Sequence, residues 1–229
     1  MKMAFAKKAL AAAVLTVAAT SASAALELVQ TQTGSHGYAA TIWTQTLSFD
    51  LFNPANFDGR SLQRVELELT GSSRTTYSFT PTSSSIIAAD GKFGALINAD
   101  VTIGSNDLDI LIRPGKTDAI TAPVAQGTTY DFGLQEGSGA DSKQATDAAN
   151  LAAFTGSSTF DVNLASYADI SFNAVGGNYT SEQTAEALAQ FTVKYYVEEL
   201  PPAASVPAPA SLALFGLGLL AMSRKRKAA

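Results

Sequence analysis

The 229-residue chain contains no cysteine and one histidine, His36. The first absence removes any disulfide framework, so stability must come from a core alone. The two together exclude a zinc site of ordinary ligand composition. His36 lies in Gly34-Ser35-His36-Gly37, which reads as solvated loop, and no Gly-x-Ser-x-Gly elbow accompanies it. A Ser-His nucleophile therefore lacks its parts. No glycine-rich phosphate loop opens a helix, and full EF-hand spacing is missing. The expectation is a chain that is not an enzyme and carries no cofactor.

Charge is sparse and unevenly placed. Lys2, Lys7 and Lys8 stand at one end and Arg224, Lys225, Arg226 and Lys227 at the other, while all 20 acidic residues lie between. That middle holds eight basic residues and a net charge near −12, against −5 for the whole chain. Nucleic acid needs a basic footprint, which the middle does not have. A soluble exterior protein suits the balance.

The first end has the three parts of a secretory signal peptide, residues 1–24: basic start, apolar core and small-x-small ending. The uncharged stretch Ala9–Ala19 would span about 16 Å as a helix, too short for the roughly 30 Å hydrocarbon layer. Ala22 and Ala24 suit the shallow pockets of a signal peptidase, which places the cut before Ala25. The Sec export machinery and that peptidase are thus expected partners.

The other end begins with a proline-rich spacer, residues 200–209, containing four prolines. Residues 210–229 follow: an uncharged run, Ala210–Met222, expected as a membrane-held helix, then the basic cluster Arg224–Lys227. Such a cluster stays on the cytoplasmic side because moving several cations across a bilayer is costly. The run falls short of the ~20 residues of a stable span. It reads either as a temporary anchor or as a permanent one.

Val206-Pro207-Ala208-Pro209, the glycine-bearing run through Leu220 and Arg224–Lys227 together resemble a PEP-CTERM sorting signal. The resemblance implies recognition by an exosortase, a membrane enzyme that cleaves near a Pro-Glu-Pro tripeptide and releases the protein outward. Ala208 stands where that family usually has Glu.

Between the ends, residues 25–199, period-two alternation dominates. It runs through Trp43/Gln45/Leu47/Phe49/Leu51, Val65/Leu67/Leu69 and Tyr77/Phe79. It continues in Leu108/Ile110/Ile112, Tyr130/Phe132/Leu134, Phe160/Val162/Leu164, Ile170/Phe172 and Phe191/Val193/Tyr195/Val197. Asp58-Gly59, Gly71-Ser72, Asp90-Gly91, Arg113-Pro114-Gly115 and Gly176-Gly177-Asn178 read as turns. Eight to ten such strands predict an all-β fold, an antiparallel β-sandwich of jelly-roll-like or Ig-like kind. Asp141–Phe154 and Ser181–Ala189 read as short connecting helices. Trp43–Leu47, Phe52-Asn53-Pro54, Phe57-Asp58-Gly59 and Leu62–Gly71 are similar to the opening of the choice-of-anchor E domain. That resemblance implies an exported β-rich domain.

Carboxylates and aromatics are the remaining chemistry. Asp107 and Asp109 alternate on one strand face and are candidate Ca²⁺ ligands, with the wet face of a strand as the plainer reading. Trp43, Tyr77, Tyr130, Tyr167, Tyr179, Tyr195 and Tyr196 are candidate sugar platforms or core, and Tyr38 and Tyr179 are the ones expected to be exposed in loops. The leading expectation is an exported, non-catalytic surface or biofilm-matrix protein associated with extracellular polysaccharide. It would be tethered to the inner membrane by its tail and sorted by an exosortase to the cell surface or beyond. The alternatives are a carbohydrate- or Ca²⁺-binding module and a secreted polysaccharide-active enzyme.

Overall fold

In the computed structural model Val65, Leu67 and Leu69 are buried while Glu66 and Glu68 face outward, as alternation requires of a strand wet on one side. The structure describes residues 25–103 and 106–200, without the side chains of Asn106 and Asp107. The expected signal peptide with Ala22 and Ala24, the expected sorting residues Val206–Pro209 and the expected basic stop Arg224–Lys227 lie outside the described residues.

The strands are β1 (Leu26–Ala40), β2 (Trp43–Asp50), β3 (Leu62–Pro81), β4 (Ile86–Ile103), β5 (Asn106–Asp107), β6 (Ile110–Ile112), β7 (Gly115–Ala119), β8 (Tyr130–Ala145), β9 (Thr159–Ala168), β10 (Ser171–Gly176) and β11 (Tyr179–Glu198). A 3₁₀ turn (Pro54–Phe57) and one helix, α1 (Ala148–Ala153), sit in connections. One sheet has the order β1-β11-β3-β8. The other has β10 and β9 on one side of β4, β5, β6 and β7 on its other side, and β2 beyond β9.

Because β6–β7 and β9–β10 each follow one line along β4, the chain reduces to eight lines. The first pairs the last (β1 with β11), the second the seventh (β2 with β9), the third the sixth (β3 with β8) and the fourth the fifth (β4 with β6–β7). That is one long hairpin rolled into two sheets, the jelly-roll arrangement. Strand order thus selects the jelly roll over the Ig-like alternative.

Two buried clusters fill the space between the sheets. The larger includes Val65, Leu67, Ile97, Val162, Phe191 and Tyr195. The smaller is aromatic and includes Tyr77, Phe79, Phe93 and Phe132, with Phe172 packed against it. Between them the sheets come into backbone contact. A Cβ on Gly137 of β8 would meet the backbone of Gly115 of β7, with its Cα at 2.6 Å, and Ser73 Oγ donates to Pro114 O at 2.8 Å. This waist also closes one flank of the sandwich.

Several expectations need correction. Ser181–Ala189 is not helical: it pairs residue by residue with β3 inside β11. Only Ala148–Ala153 of the Asp141–Phe154 stretch is helix, capped by the Asp147 side chain, because Asp141–Ala145 completes the ladder with β3. Gly71-Ser72 and Asp90-Gly91 lie inside strands, and Arg113-Pro114-Gly115 joins β6 to β7 along one line. Their glycines serve close packing: a Cβ on Gly71 would stand 2.6 Å from Ile97 Cδ1. Leu134 is exposed although it continues the Tyr130/Phe132 alternation. Gly133, at φ 69°, sits where β8 carries one residue more than β3, and that bulge reverses the parity and turns Gln135 inward.

Asp169 staples three lines of the second sheet. Its N–H donates to Gly94 O at 3.0 Å, and its carboxylate accepts from Lys92 Nζ at 2.6 Å and Arg113 at 3.2 Å. Lys92 above all holds this carboxyl below the ordinary value of 3.8; burial pushes it up, and Arg113 helps Lys92 to outweigh that push. A depressed folded-state pKa gives stability that is present above the unfolded value and lost as pH falls through the folded one. Asp169→Asn is therefore expected to be less stable at neutral pH. It should also lose less stability than the parent below about pH 4, as urea midpoints across pH would show.

Candidate functional site

The two ends of the folded chain lie side by side. Glu199 N–H donates to Ala25 O at 2.8 Å, and Leu26 is in register with Glu198. The first residue after the expected signal-peptide cut therefore stands next to the residue leading into the spacer. Strand directions place the connections 51–61 and 146–158 at this pole, the one that the expected tail would tether. The connections 82–85, 120–129 and 177–178 lie at the opposite, distal pole.

On the outer face of the second sheet, strand alternation lines up Asp100 of β4, Asp161 and Asn163 of β9, and Thr46 and Ser48 of β2. The polar groups bind one another: Thr46 donates to Asn163 at 2.8 Å, Ser48 to Asp161, and Thr102 to Asp100 at 3.2 Å. Asp109 accepts from Val101 N–H at 3.0 Å, so its carboxylate holds the β4 backbone. Asp107 reaches the ladder through its pairing with Thr102. Among the described residues, no three His, Asp or Glu side chains are grouped so as to hold a metal ion.

On the outer face of the first sheet, Lys194 Nζ lies between Glu66 Oε1 (3.1 Å) and Glu68 Oε2 (2.9 Å), and Tyr196 Oη donates to Glu66 at 3.1 Å. Burial pushes the Glu66 carboxyl up, but its bonds to Lys194 and Tyr196 outweigh this and hold it low. Lys194 is held well above its ordinary value by the same two carboxylates. A two-carboxylate glycosidase needs one acid raised toward neutrality. Glu66, Asp147 and Asp169 are all shifted the other way.

Shallow hollows adjoin this pair and meet at Ala140. One, of about 360 Å³, is lined by Glu66, Glu68, Asp141 and Lys194; another, of about 480 Å³, by Thr70, Ser72, Ser138 and Gln190 over a floor of Gly71 and Gly139.

The aromatic candidates are dispersed. Tyr195 and Tyr77 are buried and Tyr130 half-buried. Tyr196 lies under the Arg64 guanidinium, 3.9 Å from its ring centroid. Tyr38 is in β1, with Arg74 4.0 Å from its ring centroid, and is not a loop residue. His36 also belongs to β1, half-buried, with its ring 4.2 Å from that of Trp43, so the solvated-loop expectation fails. Tyr167 and Tyr179 are exposed. Among the described residues, no helix is long and apolar enough to cross a membrane.

Residues 205–227 match the PEP-CTERM protein-sorting motif. The chain carries a PEP-CTERM sorting signal. Such a motif marks an exported protein, held in the membrane by its tail until an exosortase acts on it.

No curated protein matches. The solved structures similar to the chain include an infectious bursal disease virus T13 particle, at 8% identity and TM-score 0.20, covering 86% of this chain and 48% of the other. A VP2 subviral particle of the same virus has 11% identity and TM-score 0.23, with 86% and 50% covered. A virus-like particle of the Macrobrachium rosenbergii nodavirus has 10% identity and TM-score 0.19, with 88% and 97% covered. The chain spans about half the length of the first of these.

Proposed function

We propose that the jelly-roll domain is a non-catalytic component of the cell surface or of the extracellular polysaccharide layer, delivered there through its PEP-CTERM tail. The observation that carries this reading is the combination of that tail with adjoining chain ends at Ala25 and Glu199. A domain tethered at one pole presents both sheets and its distal loops outward. The downward shifts of Glu66 and Asp169 support a structural use of these carboxylates over acid catalysis. The similarity of Trp43–Gly71 to the choice-of-anchor E opening fits the same setting.

Mass spectrometry of the chain recovered from medium and from membranes tests the reading. A released form beginning at Ala25 and ending near Val206–Pro209 is expected. A chain found only in membranes and ending at Ala229 would sink it. Ala208→Glu supplies the family's usual tripeptide and is expected to raise the released fraction. An unchanged or lower fraction would mean that position 208 does not limit recognition.

The hollows around Ala140 favour a second reading, a binding module for neutral polysaccharide. Thr70, Ser72, Ser138 and Gln190 offer hydroxyl and amide partners over a floor without side chains. Co-sedimentation with insoluble polysaccharide, reduced by Gln190→Ala and Ser138→Val together, is the expected sign.

A further inference from the structure

The four edges of the two sheets are not treated alike. Where β1 and β2 run along the tethered half, the Gln32 side chain bonds both the N–H and the C=O of Asp50 at 2.8 Å, stitching one sheet edge to the other. β1 also carries two register shifts, which disrupt an edge as a template. On the opposite flank, β7 and β8 are closed by the contact of Gly137 with Gly115 and by Gln135 donating to Asp118 at 3.2 Å.

The distal half of the β1–β2 flank lacks these guards. β2 begins at Trp43, opposite Ser166, so among the described residues no strand continues its line alongside β10. Among the described residues β10 pairs with β4 alone. Its sequence, Ser171-Phe172-Asn173-Ala174-Val175-Gly176, has no charge and no proline, the features that usually blunt an edge. Exposed apolar groups gather on the same flank: Ile42 (79% exposed) where β2 would continue, Tyr167 leading into β10, Val175 (58%) in it and Tyr179 after it.

We propose that the free β10 edge pairs with the β10 edge of a second copy of this chain, joining two jelly rolls through one continuous sheet. The regular part of β10, Ser171–Val175, ends at a register shift before Gly176, which puts Asn173 at its midpoint. An antiparallel two-fold through Asn173 sets Asn173 opposite its own copy, Phe172 opposite Ala174 and Ser171 opposite Val175. Large faces small on the inward side, where Phe172 and Ala174 are only half-buried in the single chain. No charge opposes another along the seam, although the region between the two end signals carries a net charge near −12. Strand addition supplies affinity through main-chain hydrogen bonds, and the alternate side chains set the register. Outward delivery provides only the setting; the pairing itself rests on the edge.

The absence of cysteine makes the register directly testable. Residues opposite each other in an antiparallel ladder have Cα atoms about 4.5–5.5 Å apart, within disulfide range. Asn173→Cys in the full exported chain is expected to give covalent dimer as its main species under mild oxidation. Ser138→Cys, exposed on the outer face of β8, should remain monomer. Equal cross-linking of the two would overturn the proposal. Asn173→Glu places like charges on the two-fold and should shift the released chain from dimer to monomer mass in sedimentation, with its melting temperature unchanged at low concentration. A parent chain that already sediments as monomer at micromolar concentration would equally refute it. Failed sorting would show as an intact tail in membranes and leave the cross-link unaffected, so the two readings fail separately.

Discussion

Gly94→Val is expected to leave no folded chain outside the cell. Gly94 occupies the waist, where β4 pairs with β7 at Gly115. A Cβ there would meet Pro114 O, with Gly115 Cα at 2.6 Å and Pro114 C at 3.1 Å. These are backbone atoms, so no flexible side chain can swing aside. Pro114 O is itself committed, accepting from Ala95 N–H at 2.9 Å and Ser73 Oγ at 2.8 Å. Relieving the clash would pull β7 from β4 and break the buried Ser73 bond. Overpacking of a tight core commonly costs about 1–3 kcal/mol, and loss of a buried hydrogen bond adds about 1 kcal/mol or more. A rigid backbone clash belongs at or above the top of that combined range, comparable to much of a domain's stability of about 5–15 kcal/mol. Gly37→Ala is the matched control: no atom lies within 4 Å of its Cβ position. It should change stability by less than about 1 kcal/mol. Immunoblots of medium and envelope, with urea midpoints of whatever is recovered, separate the outcomes. A Gly94→Val protein as stable as the parent would show that β7 does not lie so close against β4 at Gly115.

That waist also explains what could and could not be read in the sequence. Local alternation sufficed for Val65/Leu67/Leu69, Phe160/Val162/Leu164 and Phe191/Val193/Tyr195/Val197, because each obeys parity set within its own strand. Glycine was the misleading signal. Gly71 and Gly91 punctuate like turn residues, yet they sit within strands of 20 and 18 residues because another group packs where their Cβ would be. Leu134 broke parity because of an insertion relative to its partner strand, which a single strand's sequence does not display. Ser181–Ala189 reads as one or two helical turns, but its alanines 185, 187 and 189 alternate as a strand requires and the stretch pairs with β3.

The candidate chemistry was legible at the ends of the chain and poorly in the middle. A sorting tail is read by an enzyme as a linear pattern, so Val206–Pro209 and Arg224–Lys227 show it without a fold. The Glu66–Lys194–Glu68 arrangement depends on a register that joins residues 126 and 128 positions apart. The free β10 edge is a matter of where β2 begins, which Ile42 marks only through its φ of 79°.

Tyr195→Ala is expected to cost about 3–5 kcal/mol, the range for truncating a large buried aromatic. Tyr195 is fully buried on β11, with its ring 5.9 Å from Phe52 and its hydroxyl donating to Asp50 O at 2.8 Å. Burial pushes its phenol above the ordinary range, with a smaller upward push from Asp50, so it stays a donor throughout physiological pH. The bond ties the last strand of one sheet to the end of β2 in the other, beside the chain ends at Ala25 and Glu199. Tyr195→Phe keeps the ring and removes only the donor, for an expected loss of about 0.5–1.5 kcal/mol. The difference between the two variants, read from urea midpoints at constant m-value, separates packing from hydrogen bonding at the tethered pole. Equal losses would mean that the hydroxyl alone carries the contribution of Tyr195. In that case the aromatic contact with Phe52 adds nothing to holding the two sheets together.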